Sequence, residues 1–512
     1  MTAPSAKRIV AANSIGYGIA LVVSFIQAPF LIHQLGDDRY GLWTLVGLVT
    51  GYYGLLDFGT RGGVGYFVAR ARATGGDNEL AEITSSAFWF LAATALLVVL
   101  IGSLGLWLFP RAIDVPAATW PEARAALLIA LLTMALSLPL DVFAAVVNGC
   151  RRGEIISLSE TVVRVATMGC IFWLLPRHTR LDFLAALNLA AKLVVWCIAY
   201  FTALHLESRW SLRWSRFRRE RLNEIVGYGL RTFVGNVAGT IVERLDTLVI
   251  AVAMGAKMVT FYVIGQALVT YIGQGVNSVT LALTPFFADL SAKADEERTR
   301  VLFFTGTRAA SLTTGLIGGG LLAFCQPFLA HWVGSSYITG AWTSRSDVVL
   351  VTLLIAMTPR FLLSAGHQYL FGTNQQGYLA RVTVLEGVCN LTLSLLLVKP
   401  LGLFGVALGS AIPSLVSHGW FVPRYLARSL QITQRHLFLE GQSRGLLAGS
   451  VILLVGVGVS QVFPPHTWWR FFIDVTATLA LSAPIVWRIG MAESDRALVR
   501  RLGHRSVAPV AS

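Results

Sequence analysis

Apolar runs of roughly twenty residues recur along the whole chain, and about that many helical residues are needed to cross a hydrocarbon core. Inside lipid every backbone N–H and C=O has to be satisfied by the protein itself, which leaves only helices or closed barrels. The runs are continuous rather than alternating with period two, so helices are predicted. Charge agrees. Asp, Glu, Lys and Arg make up 13% of the 512 residues, against roughly 25% in a soluble domain, too few to cover a water-facing surface. The expected fold is an all-α membrane protein with about fourteen transmembrane helices. In the first half they lie near 11–35, 41–69, 84–109, 122–148, 154–176 and 181–204. In the second they lie near 224–253, 257–289, 301–333, 346–371, 376–398 and 402–426, with two more near 443–463 and 468–489. The first run follows Lys7 and Arg8 and is too long for the roughly 7–15-residue core of a signal peptide, so it is expected to be retained as the first span.

A formal charge of +14 could suggest nucleic acid as a partner. The arginines, however, sit in short loops between apolar runs, the pattern of the positive-inside rule, and no nucleic-acid partner is expected. With the N-terminus placed in the cytoplasm, that side collects roughly two dozen Lys and Arg against about nine on the other. The cytoplasmic set includes Arg70, Arg72, Arg151, Arg152 and the cluster from Arg209 to Arg221. The other side keeps mainly Arg39, Arg111, Arg124, Arg177, Arg180, Lys257, Arg345, Lys399 and Arg470. An even number of spans then puts both termini inside. The five cysteines are scattered without a C-x-x-C pair, so no metal site, cofactor or disulfide framework is expected.

The longest basic loop separates two sets of six spans. The expected organisation is a lobe at 1–205, a basic cytoplasmic loop at 206–223, a second lobe at 224–430, two added helices at 431–490 and a cytoplasmic tail at 491–512. The loop also reads as a contact for anionic membrane lipids. Shifting the first half by about 219 residues brings Gly16 onto Gly235, Gln27 onto Asp246, Gly36 onto Gly255 and Trp43 onto Tyr262. Pro139 to Gly153 likewise resembles Pro359 to Gly377. Both halves start on the same side, which makes them parallel repeats about an axis along the membrane normal.

Four stretches carry a family resemblance. They are Gly54 to Thr60 (GLLDFGT) with Tyr66 to Arg72 (YFVARAR); Leu138 to Asp141 (LPLD) through Asn148, Gly149 and Arg152; Glu243 to Ile250 (ERLDTLVI); and Glu386 to Asn390 (EGVCN) with Gly402 to Gly409 (GLFGVALG). In order and spacing, over about residues 10–430, the chain resembles the polysaccharide or oligosaccharide (O-antigen type) flippases of the multidrug/oligosaccharidyl-lipid/polysaccharide exporter superfamily. The resemblance implies a transporter, not an enzyme, that moves a polyprenyl-pyrophosphate-linked glycan from the inner to the outer leaflet of a bacterial plasma membrane. Drug exporters share the fold, so the resemblance speaks to architecture more than to cargo.

Charges at membrane depth cost at least about 2.5–3.5 kcal/mol against lipid and are expected to face an interior. The interior cations are Arg61, Arg164, Lys192, Arg231, Arg244, Arg308 and Arg360, set against Asp57, Asp141, Glu160, Glu243, Asp246 and Glu386. Asp57 with Arg61, and Glu160 with Arg164, are spaced i,i+4 with the acid first, the better orientation for a local pair. Arg360 and Glu386 could pair across consecutive helices. Lys192 and Arg308 have no obvious local partner. A cavity holding such cations would attract a pyrophosphate and acidic sugars, so all seven cations are candidate substrate contacts. Asp57, Asp246 and Glu386 are candidates to carry a coupling proton or sodium ion. His367, near the inner end of the tenth span, is a further proton candidate. Asn236, Thr240 and Glu243 share one face of the seventh helix, suited to a cavity wall or to interhelical hydrogen bonds. Trp43, Tyr52, Tyr53, Tyr66, Tyr262 and Tyr271 read first as interface anchors and second as sugar-stacking rings. The leading expectation is a lipid-linked glycan flippase working by alternating access, for which a monomer is plausible and the oligomeric state is left open. The alternatives are a multidrug exporter of the same fold and a membrane-embedded glycosyltransferase or polymerase. The outer loops are too short for a catalytic domain, and no nucleotide motif stands out.

Overall fold

The computed structural model describes residues 6–51, 56–74, 77–113, 115–207, 210 and 212–490; the side chains of 6–15, 17, 49, 77 and 230–243 lie outside the described residues. Among the described residues every regular element is helical. The first part of the chain holds α1 (Ala6–Gly51), α2 (Thr60–Thr74), α3 (Asp77–Ala112), α4 (Trp120–Gly149), α5 (Gly153–Leu174), α6 (Leu181–Leu206) and α7 (Arg219–Met254). Next come α8 (Ala256–Leu281), α9 (Thr284–Ala292), α10 (Glu296–Ala323), α11 (Cys325–Trp332), α12 (Ser346–Leu362) and α13 (Ser364–Gly372). The long α14 (Gln376–Val416) runs through a π-helical turn at Ser417–Phe421 into α15 (Val422–Ser429). The short α16 (Gln434–His436) runs through another at Leu437–Gln442 into α17 (Ser443–Val462), and α18 (Trp468–Ile485) follows.

The predicted spans fall on helices or pairs of helices, except that the one near 41–69 joins the end of α1 to α2 through a turn at 56–59, with 52–55 outside the described residues. Among the described residues nine helices are long and apolar enough to cross a bilayer, or up to eleven when two bent pairs each count as one. Those pairs are α10–α11, bent by 75°, and α12–α13, bent by 43°. Dividing α1 at Gly36 and α14 at Gly402, where the backbone leaves helical geometry, and adding α7 recovers about fourteen crossings, a count that we propose.

The chain divides into two compact units, Met1–Thr260 and Phe261–Ser512. The first therefore takes in α7, which packs on α2 and α3, although the sequence repeat places α7 at the head of the second half. A helix's packing neighbours and its place in a repeat are separate properties. The repeat itself has a backbone signature. Gly36 has φ 75° and ψ 171°, and its partner under the 219-residue shift, Gly255, has φ 83° and ψ 171°. Both stand between two helices in a region open in practice only to glycine, so the paired positions make the same junction. In the first unit, α2, α3, α4, α6 and α7 enclose a core around Val64, Leu91, Leu138, Val142, Val146 and Ala199. In the second, Phe287, Phe303, Leu363, Leu370, Val422 and Leu426 form its counterpart.

Helix ends follow a common rule. Arg151, Ala294, Asn374 and Gln431 all have φ between 51° and 59°. In each case that residue's N–H bonds the carbonyl three residues back, and the next N–H bonds the one five back: Arg151 to Asn148 and Arg152 to Val147, Asn374 to Phe371 and Gln375 to Leu370, and likewise after α9 and α15. This is the Schellman closure, which satisfies otherwise orphaned carbonyls. Arg300 adds a hydrogen bond from Nε to the Leu430 carbonyl at 2.9 Å. A left-handed non-glycine residue costs roughly 1–2 kcal/mol. Ala294→Gly is therefore expected to stabilise the protein by about 0.5–1 kcal/mol, after subtracting glycine's own entropy cost, readable as a higher melting temperature in detergent.

The basic loop is fastened rather than loose. Arg221 reaches Glu79 at 3.3 Å, Glu82 at 3.7 Å and Glu224 at 3.0 Å, and Arg218 reaches Glu82 at 3.6 Å. The Trp89 indole donates to the Leu212 carbonyl at 2.9 Å, and Ser86 and Arg218 exchange hydrogen bonds. The hydrogen bond to Glu224 raises the Arg221 pKa above its ordinary value. Arg213, Arg218 and Arg219 stay exposed and suit the lipid contact expected of this loop.

Candidate functional site

A cavity of about 370 Å³ lies within the first unit, among α1, α4, α5 and α6. Helical periodicity builds its walls. Trp43, Val46, Gly47 and Thr50 fall on one face of α1; Glu160, Arg164, Thr167 and Ile171 on one face of α5; Asn188, Lys192 and Val195 on one face of α6. Thr133 and Ala130 close it from α4, and Gln27 from the first part of α1. Two cations and one carboxylate line it. Among the described residues Glu160, Arg164 and Lys192 have no ion-pair partner within 4.0 Å. The local Glu160–Arg164 pair expected from sequence is thus not formed. An i,i+4 pair is worth only about 0.3–0.5 kcal/mol, too little to hold two long side chains together on a wall they share with open space.

The other predicted cations sit elsewhere. Arg61 on α2 ties the turn before that helix to α4: its Nε lies 2.8 Å from Asp57 and its Nη1 3.0 Å from Asp141. Asp57 also accepts from the Gly59 N–H at 2.8 Å, and Asp141 from the Trp196 indole at 2.9 Å. The expected Asp57–Arg61 pair is present, with Asp141 as a third member. Arg244 lies against the backbone of Gly51, and Asp246 is buried on α7. The Arg231 side chain, like those of Asn236, Thr240 and Glu243, lies outside the described residues. In the second unit Arg308 is half-buried on α10 and is engaged by other groups.

Arg360 and Glu386 do not meet within 4.0 Å; His418 stands at the Glu386 carboxyl instead, its Nδ1 3.8 Å from Oε2. His418 was not picked out by sequence reasoning. A histidine in the middle of the twelfth apolar run was the available signal. Among the aromatics, Trp43 lines the cavity, while Tyr66 stacks on Tyr228 at 4.6 Å. Tyr262 is fully buried, so the interfacial reading does not apply to it. Tyr52 and Tyr53 lie outside the described residues.

Fold and composition together define a multi-pass, all-helical membrane protein. Residues 35–340 match the family described as polysaccharide biosynthesis protein, and the chain belongs to that family. It is 24% identical over 442 residues to the uncharacterized membrane protein EpsK of Bacillus subtilis (strain 168), covering 84% of each chain. Its fold is similar to that of the lipid II flippase MurJ in an inward closed conformation, with a TM-score of 0.64 at 11% identity over 93% of this chain and 98% of that one. It is also similar to a multidrug resistance transporter of the MATE family in an outward-facing conformation, with a TM-score of 0.56 at 13% identity, covering 83% and 96%.

Proposed function

We propose that this protein flips a polyprenyl-pyrophosphate-linked oligosaccharide from the inner to the outer leaflet of the bacterial plasma membrane, with both termini cytoplasmic, for polysaccharide biosynthesis. The observation that carries the reading is the cavity among apolar helices that holds Arg164, Lys192 and Glu160 without ion-pair partners among the described residues. With two cations against one carboxylate, the site keeps a surplus positive charge that an anion or water has to balance. A pyrophosphate or an acidic sugar supplies that anion through charge-assisted hydrogen bonds. Thr50, Thr133, Asn188 and Gln27 offer hydroxyl and amide groups to sugar hydroxyls, and Trp43 a ring face. The polyprenyl tail stays in lipid while two six-helix halves alternate access. Arg61, Arg231, Arg244, Arg308 and Arg360 remain secondary candidates for substrate contact. Asp57, Asp246 and Glu386 are candidates for carrying a coupling proton or sodium ion. Cationic drugs would call for a cavity richer in acid, which disfavours the multidrug reading.

Leaflet exchange of a labelled polyprenyl-pyrophosphate oligosaccharide in liposomes tests this. Exchange is expected with the wild type; its absence, alongside glycan transfer or elongation, would replace the proposal with an enzyme. Lys192→Ala and Arg164→Ala should each weaken handling of the anionic lipid by roughly 10- to 100-fold, the worth of a hydrogen bond to a charged group. Melting temperature should stay near that of the wild type, since neither side chain holds an ion pair among the described residues.

A further inference from the structure

The second unit holds a cluster of titratable groups separate from the cavity. Glu386 on α14 is 4% exposed, and His418 in the π-helical turn after α14 is 2% exposed. The Glu386 Oε2 and His418 Nδ1 atoms face each other at 3.8 Å, too far for a hydrogen bond, and neither of these two atoms has a hydrogen-bond partner among the described residues, although Ser414 borders both side chains. His367 on α13 packs edge-on to His418, ring centres 5.4 Å apart at 76°, and its Nε2 is likewise buried and unpartnered. The charged group that acts on all three is Arg360, from α12. On α10, which packs against α12 and α13, the mid-helix charge is Arg308.

Three orphaned polar atoms in one place are unusual, since buried polar atoms are nearly always hydrogen-bonded. A carboxylate facing a neutral imidazole needs one proton to become a hydrogen-bonded pair. The backbone here is irregular on both sides. His418 lies in a π-helical turn, a feature common at functional sites, and His367 lies just beyond the 43° bend between α12 and α13. Drawing Glu386 and His418 together therefore acts directly on the π-helical turn that carries His418, against which His367 packs from just beyond the bend.

We propose that Glu386 and His418, with His367 beside them, form a proton-binding site through which the second unit takes up one proton in each transport cycle. The coupling half of this statement rests on the flippase reading; the proton site itself does not. In proteoliposomes a one-unit pH gradient is worth about 1.4 kcal/mol per proton, so it should shift the leaflet distribution of the labelled lipid about tenfold for one proton per lipid. Glu386→Gln and His418→Gln should reduce that ratio to about one, with His418→Asn as the substitute should the glutamine variant misfold. A gradient response that persists in both variants, or wild-type exchange with no gradient response, overturns the coupling. The proton site is read separately by infrared difference spectra of the purified protein across a pH step. A carboxyl band that disappears in Glu386→Gln and shifts in His418→Gln is expected; no band removed by Glu386→Gln overturns the site. Failure of lipid exchange in the wild type would sink the flippase reading, and the infrared result would still decide the site.

Discussion

Gly449→Leu is expected to unseat α17 from α10 and to abolish recovery of folded, monodisperse protein from the membrane. The two helices meet backbone to backbone. A Cβ built on Gly449 would stand 2.9 Å from both the Cα and the carbonyl oxygen of Gly315, where non-bonded carbons need about 3.5–4.0 Å. A Cβ on Gly315 would strike the Gly445 carbonyl, and one on Gly445 the backbone of Ser311. Small residues allow this approach, which supplies packing where lipid offers no hydrophobic drive. Overpacking ordinarily costs about 1–3 kcal/mol. Leucine against rigid backbone should exceed that range and carry α18, which packs on α17, away with it. A Cβ on Gly458, in the same helix, would meet nothing within 4 Å, so Gly458→Ala should leave the melting temperature unchanged. Equal behaviour of the two variants would show that the seam does not hold these helices.

Arg61→Ala is expected to destabilise the first unit by about 3 kcal/mol, the lower end for breaking a buried ion pair because the arginine itself is about one-third exposed. The cost lies in what remains: Asp57 and Asp141, 7% and 8% exposed, would be left without their common countercharge. Arg61→Lys keeps the charge but not the forked geometry that reaches both acids, and should recover part of the loss. The triple variant Arg61→Ala, Asp57→Asn, Asp141→Asn should melt above Arg61→Ala alone, since neutral amides remove the uncompensated charge. Thermal unfolding in detergent checks both orders. If Arg61→Ala melts like the wild type yet fails in lipid exchange, Arg61 belongs to the substrate path rather than to this clamp.

Hydropathy located the helices because the bilayer requirement acts on each segment alone. The shift that paired Gly36 with Gly255 found a real backbone correspondence, since a torsion demanding glycine leaves its mark in the sequence. Arg164 and Lys192 stood out for the same reason: charge inside an apolar run is conspicuous. What stayed hidden are contacts made by the third dimension. Asp141 joins Arg61 from 80 residues away, and a π-helical turn shifts the register that an ideal helix would give His418. The α10–α17 seam was invisible because composition cannot tell a glycine that touches backbone from one facing lipid. The fastening of the basic loop depends on Glu79 and Glu82 near the start of α3, which face Arg218 and Arg221 only in the folded chain.

In the second unit three helix ends stop on a left-handed residue, at Ala294, Asn374 and Gln431. A helix terminus carries about half a negative charge there, and the closure ties up its oxygens without borrowing water or headgroups. Arg298 and Arg381 beside two of these ends are engaged nearby, Arg298 with Asp295 at 3.4 Å and Arg381 with the Gly377 carbonyl at 3.2 Å, rather than with the terminal oxygens. Each of these ends is therefore complete in itself, whatever solvent it meets.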